Sequence, residues 1–152
     1  MVYNEIHKDL FTVSDDYFLA HCISADFGMG AGIVVQFNKR FNMKHKLFDM
    51  FDGNIVNAWD MNGKTGNPQG TCIKVDRVLN LITKREYWSK PTYETFTQAI
   101  LSMKNVALEN NITKMAMPLI GCGLDKLKWN KVSEIIQNTF KDTNIEILVC
   151  IK

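Results

Sequence analysis

The sequence predicts a single α/β domain in which a mixed or mostly parallel sheet is covered by helices on both faces. Strand-like and helix-like segments alternate along most of the chain, which favours right-handed crossovers between parallel strands. The chain has 152 residues, the usual size of one domain. Its hydrophobic fraction of 46% and charged fraction of 22% are typical of globular proteins and unlike those of disordered chains.

Composition excludes several classes of protein. The chain does not start with a basic segment followed by an apolar one, and nowhere do about 18 uncharged apolar residues follow one another, so we expect neither export nor membrane insertion. A net charge of +2 is too small to predict bulk attraction to nucleic acid. Without a C-x-x-C pair, no metal or redox site is predicted, and we expect reduced thiols in a cytoplasmic protein, or a nuclear one if the source is eukaryotic. The four cysteines are widely spaced: Cys22, Cys72, Cys122 and Cys150.

The first part of the chain predicts two strands, a glycine loop and a helix. Val2 to His7 has a short β-like pattern, and Tyr17 to Ile23 is an apolar run bounded by polar residues. Gly28 to Gly32 follows as a glycine-rich loop. The next apolar residues have the spacing of one helix face: Ile33, Val34, Phe37 and Phe41.

Residues Phe51 to Gly70 are predicted to form a mobile loop. The segment has neither helical nor strand periodicity, and its turn formers are concentrated. They are Asp52-Gly53, Asn62-Gly63, Gly66 and Asn67-Pro68.

A strand pair and a long helix are predicted next. Thr71 to Val75 and Val78 to Thr83 resemble a hairpin around Asp76-Arg77, although two offset strands also fit. Pro91-Thr92 opens a helix with Thr92 as its N-cap, and this helix ends near Asn110-Asn111. Its apolar face is formed by Phe96, Ile100, Met103 and Ala107.

The last part of the chain repeats the order strand, glycine loop, helix. Lys114 to Met117 predicts a buried strand and Pro118 to Asp125 a second glycine loop. Asn130 is expected to cap a helix, and Asn144 to Ile151 to form the final strand. The buried positions of that helix are Val132, Ile135, Ile136 and Phe140.

The two glycine loops indicate a phosphate-binding site. Glycine lets the backbone approach a ligand, and backbone N–H groups at the start of a helix supply positive potential. Neither loop has the spacing of a dinucleotide or P-loop fingerprint, and one such loop alone is better explained as a tight turn. Two loops at strand ends of one small sheet, where α/β proteins bind ligands, favour a diphosphate ligand.

Several side chains near these loops are candidates for chemistry. Lys84 ends a strand and Asp125 ends the second glycine loop, so they can meet as an amine nucleophile and its acid/base partner; a solvated lysine and a turn-capping aspartate remain the alternative. His21 and Cys22 are strand neighbours and point to opposite faces, so His21 is not expected to act as a base for Cys22. Packing is the preferred role of Cys22 and Cys122. Tryptophans are expected in the core or at a pocket rim: Trp59, Trp88 and Trp129.

Six motifs occur in a fixed order along the chain: Leu19-Ala20-His21-Cys22-Ile23-Ser24, Met29-Gly30-Ala31-Gly32-Ile33, Leu81-Ile82-Thr83-Lys84, Lys90-Pro91-Thr92-Tyr93-Glu94, Met117-Pro118 and Ile120-Gly121-Cys122-Gly123-Leu124-Asp125. In these motifs the sequence resembles the terminal ADP-ribose protein glycohydrolase branch of the macro domains, from about Tyr3 to the C-terminus. The resemblance implies one macro domain over residues 1–152, a three-layer α/β/α fold with a mixed central sheet. It also implies an enzyme that releases ADP-ribose from modified carboxylate side chains.

Site roles follow from the same resemblance. Lys84 is similar in position to the lysine that attacks the anomeric carbon of the distal ribose, and Asp125 to its acid/base partner. Asp9 and Leu10 match the adenine-binding positions. The positions around the ribose and diphosphate are Ile23, Ser24, Gly30, Ala31, Gly32, Leu119, Ile120, Gly121, Cys122, Gly123 and Leu124. Neither a metal nor a cofactor is implied.

The sequence also departs from the family pattern. Lys8 stands where the family commonly has glycine, and the segment 51–70 is longer than is typical of close relatives. Ser24-Ala25-Asp26 replaces the asparagine-rich segment that accompanies a substrate-activated water in other macro-domain hydrolases, which favours the lysine route.

Alternative functions remain open at this point. The pocket is expected to suit ADP-ribosylated protein, O-acetyl-ADP-ribose or thymidine-linked ADP-ribose in DNA, and a DNA target would use the basic segment Lys39 to Lys46 or the lysines Lys126, Lys128 and Lys131. A non-catalytic reader of ADP-ribose and an ADP-ribose 1''-phosphate phosphatase share the same pocket. In the absence of a coiled-coil pattern, a monomer is the default expectation.

Overall fold

A computed structural model describes all residues, 1–152. Six strands and five helices follow one another as β1 (Val2–His7), β2 (Phe18–Ser24), α1 (Val34–Phe41), α2 (Met43–Phe51), α3 (Val56–Thr65), β3 (Thr71–Val75), β4 (Val78–Lys84), α4 (Tyr93–Glu109), β5 (Lys114–Met117), α5 (Trp129–Phe140) and β6 (Glu146–Ile151). A 3-10 turn (Leu10–Thr12) follows β1. None of the helices has the length and apolar character needed to cross a bilayer.

The six strands form one mixed sheet in the order β1-β6-β5-β2-β4-β3. All neighbouring pairs are parallel except β3 and β4, which form an antiparallel hairpin. The predicted mixed sheet and the predicted hairpin are therefore confirmed. Since five strands run in the same direction, their carboxyl ends meet at one edge, where both glycine loops begin.

Helices cover both faces of this sheet, as predicted. On one face, α1, α2 and α3 contribute Phe37, Leu47 and Trp59 to a buried cluster. On the other face, α4 and α5 contribute residues such as Phe96 and Ile136 to a second cluster. Two separate apolar layers against a central sheet define the three-layer α/β/α architecture.

The start of α4 agrees with the sequence prediction. The hydroxyl of Thr92, its N-cap, accepts a hydrogen bond from the Thr95 N–H at 3.0 Å, and the Thr92 N–H donates to the Thr95 hydroxyl at 3.1 Å. This reciprocal capping box satisfies two of the N–H groups left unpaired at a helix start.

The prediction of a structureless loop over residues 51–70 was wrong, because the segment contains α3. Most of its turn formers lie outside the helix, although Asn62-Gly63 lies within it. At the start of α3 the Asn54 side chain accepts from the Val56 N–H at 3.0 Å, and Gly66 ends α3 with a φ of 77°. Tertiary contacts hold the helix in between. Trp59 is buried, and its carbonyl accepts from the Gln69 side chain at 3.0 Å.

The start of α5 differs from the prediction. Asn130 is not an N-cap, because α5 begins at Trp129 with Lys128 as its cap, and the Lys128 N–H donates to the Tyr93 hydroxyl at 3.0 Å instead of to a side chain of the helix itself. After α1, the left-handed backbone of Asn42, with a φ of 52°, turns the chain into α2.

Candidate functional site

A cavity of about 1380 Å³ lies at the carboxyl-end edge of the parallel strands. It extends from Asp9, just after β1, to Lys84 at the end of β4. These strands are four steps apart in the sheet, and at about 4.8 Å a step the distance across it is roughly 19 Å. Every residue assigned to the site from the sequence lines this one cavity.

Lys84 and Asp125 are in direct contact inside the cavity. The Lys84 ammonium lies 2.7 Å from an Asp125 carboxylate oxygen, and each side chain is only 13% exposed. The end of the β2–β4 pairing fixes the position of Lys84. The register between these strands shifts between Ile23 and Ser24, and the Ala25 N–H donates to the Lys84 carbonyl at 2.9 Å. A cation and an anion are thus held together in a partly dehydrated position, where each strongly influences the other.

Free backbone amides line both glycine loops. The N–H groups of Gly30 to Gly32 and of Gly123 to Asp125 donate to no backbone carbonyl. At Gly30 and Gly123 the space that a Cβ atom would occupy is open to beyond 4 Å. Unpaired N–H groups beside open space form a concave site of positive potential, which suits the oxygens of a phosphate.

The two glycine loops also approach each other. A Cβ atom at Gly32 would lie 3.3 Å from the Leu124 Cδ1 atom, and Gly32 has a positive φ of 75°. Leu124 therefore reaches across from the second loop to the first, so a ligand that contacts both sets of amides lies between the loops.

Polar and aromatic groups meet at the Asp9 end of the cavity. One Asp9 carboxylate oxygen accepts from the Phe11 N–H at 3.0 Å, and the other lies 3.9 Å from the Lys152 ammonium. The Arg40 guanidinium lies 4.4 Å from the centre of the Phe11 ring. A carboxylate oxygen with spare acceptor capacity beside a flat aromatic and guanidinium surface suits an aromatic base with an amino group.

The cysteines of the cavity are unsuited to be nucleophiles. Burial raises the pKa of the Cys22 thiol far above its ordinary value. Burial, followed by the nearby Asp125 carboxylate, raises the pKa of Cys122 to about 11. Both thiols are therefore protonated at neutral pH, and the thiolate is the reactive form.

His21 faces away from the cavity, as the strand alternation predicts. Its ring stacks on Phe37 of α1 at 3.8 Å between centroids, and its Nε2 atom lies 2.6 Å from the Asn80 side-chain oxygen. Burial lowers the pKa of His21 to about 4. The ring is thus a neutral core residue at physiological pH and takes no part in the site.

Part of the cavity wall comes from the connection between β4 and α4. Trp88, expected in the core or at a pocket rim, lies at the rim, together with Tyr87, which was not predicted there. Tyr87 and Trp88 line the cavity although these residues are 61% and 63% exposed. The only sequence signal for Tyr87 was its place beside Trp88 in a polar connection shortly after Lys84. Of the other tryptophans, Trp59 lies in the core and Trp129 is half-buried. No group of three or more His, Cys, Asp or Glu side chains in the structure is arranged to hold a metal ion.

Comparison with known proteins places these features in a family. Residues 56–136 match the family described as Macro domain. The chain is 39% identical over 146 residues to the human protein named ADP-ribose glycohydrolase OARD1, which covers 95% of this chain and 88% of the human one; the Bos taurus protein of the same name is equally similar.

Solved structures agree in fold. The macrodomain of Thermus aquaticus DarG superposes with a TM-score of 0.73 at 16% identity, over 98% of this chain and 97% of that one. Thermosipho africanus DarTG in complex with ADP-ribose superposes with a TM-score of 0.70 at 16% identity, over 99% of this chain and 42% of that one. Sequence identity over nearly the whole chain and a shared three-layer architecture lead to the same conclusion: this chain belongs to the macro domain family.

Proposed function

We propose that this protein is a hydrolase that releases ADP-ribose from modified Glu and Asp side chains, with Lys84 as the nucleophile and Asp125 as its acid/base partner. The observation that carries the proposal is the enclosed contact of 2.7 Å between these two side chains, inside a cavity lined by free amides. The name ADP-ribose glycohydrolase of the human and Bos taurus relatives supports hydrolysis of ADP-ribose linkages as the reaction class.

The cavity suits an extended ADP-ribose. Asp9 accepts a hydrogen bond from the amino group of the adenine, which lies beside Leu10. The diphosphate contacts the amides of two loops, Gly30 to Gly32 and Leu119 to Asp125. The distal ribose then lies next to Lys84. This orientation uses the roughly 19 Å between the ends of β1 and β4 and leaves the modified side chain pointing out of the cavity.

The reaction follows from the acid/base relationship of the pair. Asp125 takes a proton from the Lys84 ammonium, and the neutral amine attacks the anomeric carbon of the distal ribose. A carbon–nitrogen bond forms as the bond from that carbon to the carboxylate oxygen breaks, and Asp125 returns its proton to the leaving carboxylate. Water, deprotonated by Asp125, then attacks the same carbon and expels the Lys84 amine, so that free ADP-ribose and the original enzyme are regenerated.

The same cavity is open to smaller and different leaving groups. O-acetyl-ADP-ribose carries a carboxylic ester on a hydroxyl of the distal ribose, and thymidine in DNA presents a nitrogen in place of the ester oxygen. We propose protein carboxylates as the principal target, within one macro domain formed by residues 1–152. These leaving groups can be compared in a single assay of ADP-ribose release.

The proposal is tested by measuring release of ADP-ribose from a Glu-linked ADP-ribosylated protein. Wild type is compared with Lys84→Ala and Asp125→Ala, and calorimetry measures the binding of ADP-ribose to each. Lys104→Ala is the matched control, because Lys104 pairs with Asp142 on the surface of α4, outside the cavity. We expect both cavity variants to bind ADP-ribose and to lose at least 100-fold in turnover, the scale of a lost general acid or base.

Other outcomes separate the alternatives. A wild type that binds ADP-ribose but releases it from neither protein nor DNA would be a reader. Release of phosphate from ADP-ribose 1''-phosphate, with no release from modified protein, would make it the phosphatase. Undetectable binding of ADP-ribose would contradict the assignment of the cavity.

A further inference from the structure

An exposed pair of aromatic side chains lies at the mouth of the cavity. Tyr87 and Trp88, which we name the aromatic rim, belong to the rim loop of residues 85–89 that follows Lys84 directly. Their rings pack edge to face at 4.8 Å between centroids. Both side chains line the same cavity as Lys84 and Asp125, yet more than half of each is exposed.

Contacts at three residues hold the rim loop and Lys90, the residue that follows it. Arg85 pairs with Asp60 of α3 through two contacts, of 2.8 and 2.9 Å. The Tyr87 N–H donates to the Asp26 carboxylate at 3.2 Å, and the Lys90 ammonium, just beyond the loop, donates to the Leu124 carbonyl at 2.7 Å. A loop fixed in this way presents its aromatic side chains without the entropic cost of ordering the backbone on binding.

Tyr87 packs closely on the first glycine loop. A Cβ atom at Gly28 would lie 2.9 Å from the Tyr87 Cβ and 3.1 Å from its Cγ. The aromatic rim is therefore continuous with the wall of the cavity.

Three large, exposed hydrophobic side chains lie together at this mouth. Tyr87, Trp88 and Leu124 line the same cavity as Lys84 and Asp125. Leu124 immediately precedes Asp125, and Trp88 lies four residues after Lys84. Exposed Trp and Tyr side chains beside a site are typical of binding hot spots, since they bury a large area at low entropic cost.

Charge favours a polypeptide over a nucleic acid as the occupant. Among the cationic side chains that line the cavity, Arg40 lies over Phe11 and Lys152 lies near Asp9, at the far end from Lys84. Lys90 lies at the mouth, where its ammonium donates to the Leu124 carbonyl. Within the rim loop, Arg85 is paired with acidic side chains. Nucleic acid binding relies on cations placed to contact phosphates, whereas an aromatic and aliphatic patch suits an apolar side chain of a protein.

We infer that the aromatic rim binds the polypeptide on the leaving-group side of the reaction, by packing on an apolar side chain next to the modified Glu or Asp. This inference rests on the proposed function, because that function places the distal ribose at Lys84 and the modified side chain outside the cavity. The rim thus determines which modified proteins are good substrates, and Asp60 and Arg85 are positioning residues for it.

The test compares a large and a small leaving group on the same enzyme. We would measure kcat and KM of wild type and of the double variant Tyr87→Ala/Trp88→Ala on an ADP-ribosylated protein and on O-acetyl-ADP-ribose, whose acetate is too small to reach the rim. The ratio to compare is kcat/KM for the ADP-ribosylated protein divided by kcat/KM for O-acetyl-ADP-ribose. In the double variant this ratio should be at least ten-fold lower than in wild type, mainly because the KM for the protein is higher. Leu108→Ala, an exposed apolar residue of α4 outside the cavity, is the matched control and should leave the ratio unchanged.

A binding measurement keeps the inference separate from the proposed function. In a Lys84→Ala background, we would measure how much the rim substitutions weaken the binding of two ligands, the ADP-ribosylated protein and free ADP-ribose. The affinity for the protein should fall at least ten-fold more than the affinity for free ADP-ribose, whether or not the wild type turns over. Equal weakening of both ligands would overturn the inference by assigning the rim to ADP-ribose itself, and so would an unchanged affinity for the protein. A selective loss of turnover on thymidine-linked ADP-ribose in DNA, with the protein substrate unaffected, would overturn it in favour of a nucleic acid. Absence of turnover by the wild type on every substrate, with selective weakening in the binding assay, would contradict the hydrolase and not the rim.

Discussion

Arg85 and Asp60 form a bidentate salt bridge that connects the rim loop to α3. The Nε atom of Arg85 lies 2.8 Å from one Asp60 oxygen and a terminal nitrogen lies 2.9 Å from the other. Hydrogen bonding to Arg85 is also the main reason that the pKa of Asp60 is lowered from its ordinary value. Parallel contacts of this kind fix orientation as well as distance. The segment 51–70 therefore has a structural role in supporting the mouth of the cavity.

Removal of the Arg85–Asp60 salt bridge should raise the KM for large substrates and have little effect on the stability of the fold. In Asp60→Ala we expect the KM for an ADP-ribosylated protein to rise about three- to ten-fold, with little loss in unfolding free energy, because the pair is partly exposed. Steady-state kinetics and urea unfolding measure the two effects. Asp142→Ala, which breaks the surface pair with Lys104, is the matched control. Recovery of the KM in Asp60→Glu would support a positioning role, whereas an unchanged KM in Asp60→Ala would contradict it.

Two glycines of the second loop should respond differently to alanine. Gly121 has a φ of 74°, and a Cβ atom there would lie 3.1 Å from Leu127 and 3.3 Å from Phe96, so Gly121→Ala should cost about 1–3 kcal/mol of unfolding free energy. Gly123 faces open space, so Gly123→Ala should change stability by less than about 0.5 kcal/mol. Calorimetry should nevertheless show weaker ADP-ribose binding to Gly123→Ala, because its methyl group enters the proposed phosphate path. Normal ADP-ribose affinity in that variant would argue against this path.

Protonation of His21 should destabilise the fold as the pH falls. Burial lowers its folded-state pKa to about 4 from an ordinary value near 6.5, so below pH 6.5 the unfolded chain binds a proton that the folded chain does not. The contribution is complete above about pH 6.5 and is lost towards pH 4, at up to about 1.4 kcal/mol per pH unit. Between pH 6.5 and 5.0 the unfolding free energy should therefore fall by roughly 2 kcal/mol from this residue.

Urea unfolding of wild type and of His21→Gln, measured from pH 7.5 to 5.0, checks this pH dependence. His7→Gln is the control, because His7 is exposed on β1. The decline should be much shallower in His21→Gln and unchanged in His7→Gln. Equal slopes in all three proteins would show that His21 is not the source.

The cap of α4 gives a prediction of stability alone. Thr92→Ala removes the acceptor for the Thr95 N–H and should cost about 1 kcal/mol in thermal or urea unfolding. Thr97→Ala removes a hydroxyl that donates back to the Tyr93 carbonyl on the exposed surface of the same helix, and it should be neutral. A loss in Thr97→Ala as large as that in Thr92→Ala would mean that the cap is not the cause.

The strands of the sheet were predicted well because the residues that determine them are neighbours in the sequence. Apolar runs such as Tyr17 to Ile23 and Lys114 to Met117 are bounded by turn residues, and the capping threonine lies next to the helix it starts. The site could be predicted for a related reason: the glycine loops directly follow strands whose carboxyl ends meet at one edge, and the family resemblance supplied roles for Lys84 and Asp125.

Features that depend on long-range contacts escaped prediction. The helix α3 has few apolar residues, and contacts to distant parts of the chain hold it, such as the hydrogen bond from the Ile55 N–H to the Ala25 carbonyl. Its turn formers suggested a loop, but most of them flank the helix, and tertiary contacts maintain α3 through Asn62-Gly63. Tyr87 was missed for the same reason, since Asp26 and Asp60, which hold its loop, are far from it in sequence.

The most direct test of the central claim is to search for the covalent intermediate on Lys84. Wild type would be quenched with acid during turnover of an ADP-ribosylated protein, and the mass of the intact chain and of its peptides measured, with Lys84→Arg as a control that keeps the positive charge. The account predicts a fraction of wild-type chains that carry one ADP-ribosyl group on Lys84, and none in the Lys84→Arg variant. Steady turnover without any adduct, or an adduct on another residue such as Cys122 or Lys90, would contradict it.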